Sequence, residues 1–185
     1  MSANGVNLEG IKQVDTLVRQ NPAMGKVLFK ARSTWKRGTR SEITVDSTVA
    51  GGQEMSPPAR RFTVSVDEPP FLGGADAAPN PVEVLLAALA GCVTAGVATN
   101  GDMFGVPIDA MTIDLEADVD ARGVLGHDKS VRSGVSDIRY TVTIQSPASE
   151  EQVRRVKETI DRKSPIRDTL ANPVNVTSKL VFKPR

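Results

Sequence analysis

The chain has one cysteine, Cys92, and one histidine, His127, so nucleophilic chemistry has few places to reside. Cys92 lies inside the run Asn80-Pro81-Val82-Glu83-Val84-Leu85-Leu86-Ala87-Ala88-Leu89-Ala90-Gly91-Cys92-Val93-Thr94-Ala95-Gly96-Val97. A cysteine attacks electrophiles as its thiolate and otherwise packs as a small hydrophobe, and residue type alone leaves both roles open. His127 sits in a charged, glycine-containing segment and reads as a surface residue rather than a base. Ser164 has no assigned histidine partner; standing before Pro165, it reads as a helix N-cap. Gly73-Gly74 is followed by no P-loop lysine and serine, so a tight turn suffices for it. Asp67, Glu68 and Asp76 lack the further ligand spacing of a cation site, and one cysteine excludes a CxxC zinc site. Neither a metal nor a cofactor is expected.

The elements that would position these residues follow from periodicity and punctuation. Apolar Leu8, Ile11, Val14, Leu17 and Val18 mark an amphipathic helix ended by Asn21-Pro22. Residues 27–35 and 40–48 alternate as two strands joined by a turn at 36–39, and residues 61–66 form a third strand before Glu68-Pro69-Pro70. Asn80 caps the cysteine helix and Pro81 fits its first turn. That helix is apolar on nearly every side and must be buried on nearly every side. Two half-buried strands follow over 111–119 and 138–144, joined by an exposed, mobile excursion at 120–136. Ser149-Glu150-Glu151-Gln152 opens an amphipathic helix carrying Val153, Val156 and Ile160, Ser164-Pro165 opens a short one, and residues 174–182 form a last strand.

Segregated strands and helices give an α+β fold rather than a doubly wound dinucleotide-binding sheet. An N-terminal helical arm is expected over residues 1–24 and one domain over 25–185. A central helix apolar all round needs more cover than one sheet face, and a second subunit would supply it. The N-terminal helix is expected to dock on that subunit. A net charge of +1 argues against a general nucleic-acid binder. No secretory signal and no uninterrupted apolar stretch of membrane-spanning length is evident, so no membrane partner is expected. One cysteine forms no internal disulfide and suits a reducing cytoplasm.

The segments Asp67-Glu68-Pro69, Gly73-Gly74-Ala75-Asp76, Pro79-Asn80-Pro81 and Glu83 through Cys92 together resemble the OsmC/Ohr family of thiol peroxidases, and the resemblance extends over residues 29–182. It implies an intertwined homodimer whose two long central helices pack between sheets, with active sites at the subunit interface. It also implies reduction of organic hydroperoxides: a cysteine thiolate attacks the O–O bond, becomes a sulfenic acid, and is resolved by a second cysteine.

On this resemblance Cys92 takes the attacking position, and Ser164 stands where the resolving cysteine would precede a proline. An external thiol reductant is therefore required. A buried thiol resists ionisation unless a cation offsets the lost solvation, and the family supplies an arginine from the early hairpin. Here the candidates are Arg40 first, then Arg37, with Arg32 nearby. The family's orienting glutamate falls at Val82, while Glu83 is one residue on and turned about 100° around the helix. Glu83 either orients the arginine or complements the helix dipole. The expected function is a one-cysteine hydroperoxide reductase of stress defence. The alternative is a non-catalytic protein of the same fold that binds a small apolar or sulfur ligand in the dimer-interface pocket.

Overall fold

The computed structural model describes residues 2–184. Asn7 accepts the Gly10 amide and so caps α1 (Leu8–Gln20), which stops at Asn21 ahead of Pro22. The alternating segment behind it becomes β1 (Val27–Arg37), paired antiparallel with β2 (Arg40–Ala50) across a turn at Gly38, whose φ of 58° favours glycine. β3 (Gln53–Glu54) and β4 (Phe62–Val66) both pair with β2.

The cysteine helix is α2 (Pro81–Phe104). Asn80 and Glu83 close a reciprocal capping box at its start, and Gly105 in the left-handed region ends it. At 24 residues it is long and apolar enough to cross a membrane by length and composition, which corrects the expectation that no such stretch exists. In this chain its Leu89, Val93, Val97 and Gly101 stripe is buried in the protein core.

β5 (Ala110–Asp118) and β6 (Asp137–Gln145) form an antiparallel ribbon with Ile113 opposite Val142 and Leu115 opposite Tyr140. Their connection holds α3 (Ala121–Val124), and Gly123 is buried so tightly that a Cβ there would lie 2.3 Å from the Arg132 carbonyl oxygen. The excursion is thus partly built structure rather than loose coil. α4 (Glu150–Lys163) starts at a Ser149/Gln152 capping box, and Ser164 caps α5 (Pro165–Ala171). Leu89, Val93, Val97 and Val106 pack with Val156 and Ile160 of α4 to make the core, against the inner side of the β5/β6 ribbon. Gly96 permits this approach, since a Cβ there would fall 1.9 Å from Ile160 Cδ1.

Residues 2–6 are clamped onto the end of α2. Asp102 accepts the Asn4 and Val6 amides at 2.8 and 3.0 Å, and Asn4 donates to the Val106 carbonyl while accepting from the Ile108 amide.

Two expectations fail within one chain. The strand over 174–182 does not form: those residues pair with no described strand, and Leu180 is 88% exposed. Alternation makes a strand only where a free edge accepts its hydrogen bonds, and this segment meets none here. Nor is α2 buried on every side, because Ala87, Ala88, Gly91, Thr94 and Ala95 face outward. The hairpin leaves β1 exposed along all eleven residues, with Phe29 and Trp35 each 72% exposed.

Candidate functional site

Cys92 stands on α2 one turn past Leu89, half-buried, on the side that meets α5. Its Sγ lies 3.1 Å from Ser164 Oγ. Ser164 is only 2% exposed, and its oxygen also accepts the Arg167 amide at 3.2 Å, the N-cap bond that the sequence anticipates. With one lone pair taken by that amide, the hydroxyl proton is free to point at the sulfur. The serine therefore does two jobs: it starts α5 and it offers an O–H to a thiolate.

The other anticipated site residues lie elsewhere. Arg37 and Arg40 line a cavity of about 360 Å³ with Asp67 and the Gly73-Gly74 turn, and neither bonds the sulfur within the chain. Arg32 lines a separate hollow on the hairpin with Asp46 and Arg61. Glu83 accepts the Asn80 amide at 2.7 Å while Asn80 accepts the Glu83 amide at 2.9 Å, so its carboxylate is spent on capping. Val82 is half-buried in the same turn.

Asp67 is buried and structural. It accepts from Thr39 Oγ1 at 2.6 Å and from the Glu68, Ala75 and Ala77 amides, which pins the glycine turn to the hairpin. The Thr39 bond, aided by those amides, holds its carboxyl below the usual range against the opposing effect of burial. Gly74 is needed there because a Cβ would fall 1.7 Å from the Glu68 carbonyl oxygen. Asp76 takes a φ of 55°, and Glu68 contributes its carbonyl to the Asp76 amide. His127 is exposed on the excursion, its amide bonded to the Arg122 carbonyl. Among the described residues no group of three or more His, Cys, Asp or Glu side chains converges as a metal site.

Sequence reasoning missed a cavity of about 460 Å³ that Leu85 and Leu89 of α2 line but Cys92 and Ser164 do not. Leu85, Leu89, Ile138 and Leu170 give it apolar wall, and Arg132 and Arg167 bring two guanidinium groups. Arg167 follows Ser164 at the spacing of an N-cap partner, which was a legible signal; Arg132, on the excursion, left none. Tyr140 also lines the cavity, but its hydroxyl is committed to Asp161 Oδ1 at 2.6 Å. Burial first, then that bond and the Asp161 charge, push the phenol up to about 12.

A family profile described as OsmC-like protein matches residues 73–179. Among solved structures, an OsmC-like protein from Mycoplasma pneumoniae is 17% identical, with a TM-score of 0.56, the match spanning 80% of this chain and 89% of that one. An organic hydroperoxide resistance protein OsmC from Legionella pneumophila is 12% identical, with a TM-score of 0.52, spanning 77% of this chain and 88% of that one. At these identities the structures establish the fold. No curated protein sequence matches the chain.

Proposed function

Because this chain belongs to the OsmC-like family, we propose that it reduces organic hydroperoxides through Cys92 alone, as part of stress defence. The observation that carries this reading is the Cys92 Sγ to Ser164 Oγ contact of 3.1 Å, which puts a hydroxyl where the family's second sulfur would stand. In the proposed step the Cys92 thiolate attacks the outer peroxide oxygen and the O–O bond breaks. The departing alkoxide takes a proton and leaves as the alcohol, and Cys92 is left as a sulfenic acid. Ser164 donates to the thiolate but contributes no sulfur, so the sulfenic acid waits for an external thiol. A lone reduced cysteine suits a reducing compartment such as the cytoplasm.

We also propose that the working form is a homodimer and that the activating arginine, Arg40 or Arg37, comes from the partner subunit. A compact monomer of this mass exposes about 8,600 Å². This chain exposes 13581 Å², with β1 bare and a face of small residues along α2 uncovered. Cover by a second copy would bury both and would carry a hairpin toward the other copy's Cys92.

Stopped-flow consumption of cumene hydroperoxide with an added dithiol tests the chemistry: Cys92→Ser is expected to abolish it. Equal consumption by wild type and Cys92→Ser removes the peroxidase reading and leaves ligand binding without turnover. Subunit mixing tests the arginine. Cys92→Ser and Arg40→Ala chains, each inactive alone, regain activity when mixed if the arginine acts across the interface, and the Arg37→Ala pairing serves as the second arm. Mixtures that stay inactive for both arginines refute the arrangement.

A further inference from the structure

Ser164 is a corner residue whose polar groups are all engaged. Its amide closes α4 on the Ile160 carbonyl at 2.8 Å, its carbonyl takes the Asp168 amide at 2.9 Å, and its Oγ opens α5 by accepting the Arg167 amide at 3.2 Å. At 2% exposure it has little water to bond, and the remaining contact of its hydroxyl is the Cys92 sulfur at 3.1 Å. Where that hydroxyl points is decided by how α4 and α5 meet. The charged residues at the corner are Asp161, Arg162 and Lys163 of α4 and Arg167 and Asp168 of α5, and none of them bonds the sulfur.

The Arg167 side chain reaches back across this corner and donates from Nη1 to the Asp161 carbonyl at 2.8 Å, one of the last-turn carbonyls that α4 cannot satisfy within itself. Asp161 is anchored in turn: its Oδ1 accepts from Tyr140 of β6 at 2.6 Å and its Oδ2 from Lys157 of α4 at 2.6 Å. The Tyr140 phenol that burial pushes up is eased back by the same guanidinium, which therefore stands against β6 as well. One side chain thus joins β6, α4 and α5, and its own backbone amide holds the serine oxygen. We propose that Arg167 is a positioning residue for Cys92: it fixes the α4–α5 corner so that the Ser164 hydroxyl meets the sulfur and favours its thiolate. The inference rests on the pairing of Cys92 with Ser164 in the proposed function and not on the peroxide chemistry. A hydrogen bond to an ionised acceptor is stronger than one to its neutral form, so the contact draws the sulfur toward the charged state. Arg167 touches no reacting atom and acts through Ser164 alone.

The test is the pH profile of Cys92 alkylation by iodoacetamide in the reduced full chain. Ser164→Ala is expected to raise the midpoint by about one pH unit, a tenfold loss of thiolate at neutral pH. Arg167→Met keeps the aliphatic stem without the donors and is expected to raise it by about half a pH unit, with Arg167→Lys, which keeps one donor, returning most of that. In Ser164→Ala/Arg167→Met the midpoint is expected where Ser164→Ala alone puts it, since the arginine has no other route to the sulfur. Tyr140→Phe frees the far end of the same knot without touching α5, and its midpoint is expected to rise as well, again only while Ser164 is present.

A loosened α5 that merely uncovered Cys92 would instead raise the plateau rate at high pH and add to the effect of Ser164→Ala. That pattern, or midpoints unmoved in both Arg167→Met and Tyr140→Phe, overturns the proposal. Because the readout needs no peroxide, the two readings fail separately. Coupled midpoints in a protein that leaves cumene hydroperoxide unconsumed uphold the positioning role and remove the peroxidase reading. Turnover without the coupling does the reverse.

Discussion

Replacing Ser164 with cysteine puts a second sulfur opposite the first. Ser164 Oγ and Cys92 Sγ are 3.1 Å apart, and a disulfide needs about 2.05 Å, so the two side chains must close by about 1 Å. The serine caps a seven-residue helix that packs on α2. The bond would close a loop between residues 72 apart in sequence, for which the chain-entropy relation gives about 4 kcal/mol of stabilisation. For a chain of this length that raises Tm by about 10 °C.

The assay is one equivalent of cumene hydroperoxide added to reduced Ser164→Cys, followed by thiol counting, intact mass and a melting curve with and without dithiothreitol. Loss of both thiols, a mass lower by two hydrogens and a reducible rise in Tm are expected, while wild type under the same conditions gives a dimedone-reactive sulfenic acid. If wild type forms the sulfenic acid and both thiols of Ser164→Cys stay titratable, the geometry at Cys92 is refuted. If neither protein reacts with peroxide but diamide closes the disulfide, the geometry stands and the chemistry falls.

Three further outcomes follow from the same structure. Tyr140 is the one tyrosine, so tyrosinate absorbance near 295 nm reports it alone, with a midpoint expected at about 12 and lowered in Asp161→Asn. Its folded pKa lies above the unfolded value of about 10, so the stability it contributes is whole below pH 10 and is lost as pH rises toward 12; a wild-type midpoint at 10 refutes the buried bond. Glu83→Ala should cost about 1 kcal/mol through the lost capping box, with Glu83→Gln retaining most of it and neither changing the rate at which iodoacetamide alkylates Cys92. A slowed alkylation in both would instead place Glu83 in the thiol site. Gly96→Ala drives a methyl to within 1.9 Å of Ile160 Cδ1 and should destabilise by about 1–3 kcal/mol despite better helix propensity, and Ile160→Val in the same chain should restore part of that in a urea melt.

What could be read from the chain was mostly local. Asn80-Pro81 and the Ser149/Gln152 spacing announce helix starts because a cap is chemistry between residues three apart, and both boxes are present. Alternation in 111–119 and 138–144 locates β5 and β6 because one face of each must be dry. The site was legible in part. Ser164 declared itself as a cap, but its meeting with Cys92 across 72 residues is set by how α5 folds back on α2. Glu83 carried two readings of equal chemical sense, and the geometry spends it on the Asn80 amide. Arg132 is an exposed charge on an irregular excursion, with no period and no cap to mark it. The strand over 174–182 had the right alternation, yet a strand is a relation between two segments, and among the described residues no second segment pairs with it.

That last failure bears on the site itself. A bare β1, an unpaired apolar run at 174–182 and an α2 face of Ala87, Ala88, Gly91 and Ala95 are three separate costs for a lone chain. Each has its own remedy in principle, but a second copy answers all three together. Small side chains let two helices approach closely, an open sheet edge accepts a strand, and exposed Phe29 and Trp35 gain cover. On the proposed reading this is more than assembly. Cys92 has Ser164 beside it but no cation bonded to it among the described residues, and the hairpin that carries Arg37 and Arg40 leaves β1 exposed along its whole length. The surface that needs a second copy for stability is then the surface that needs it for chemistry. Dilution below the dimer dissociation constant should therefore silence consumption of cumene hydroperoxide while leaving Cys92 titratable as a free thiol; a rate per chain unchanged on dilution refutes the shared site.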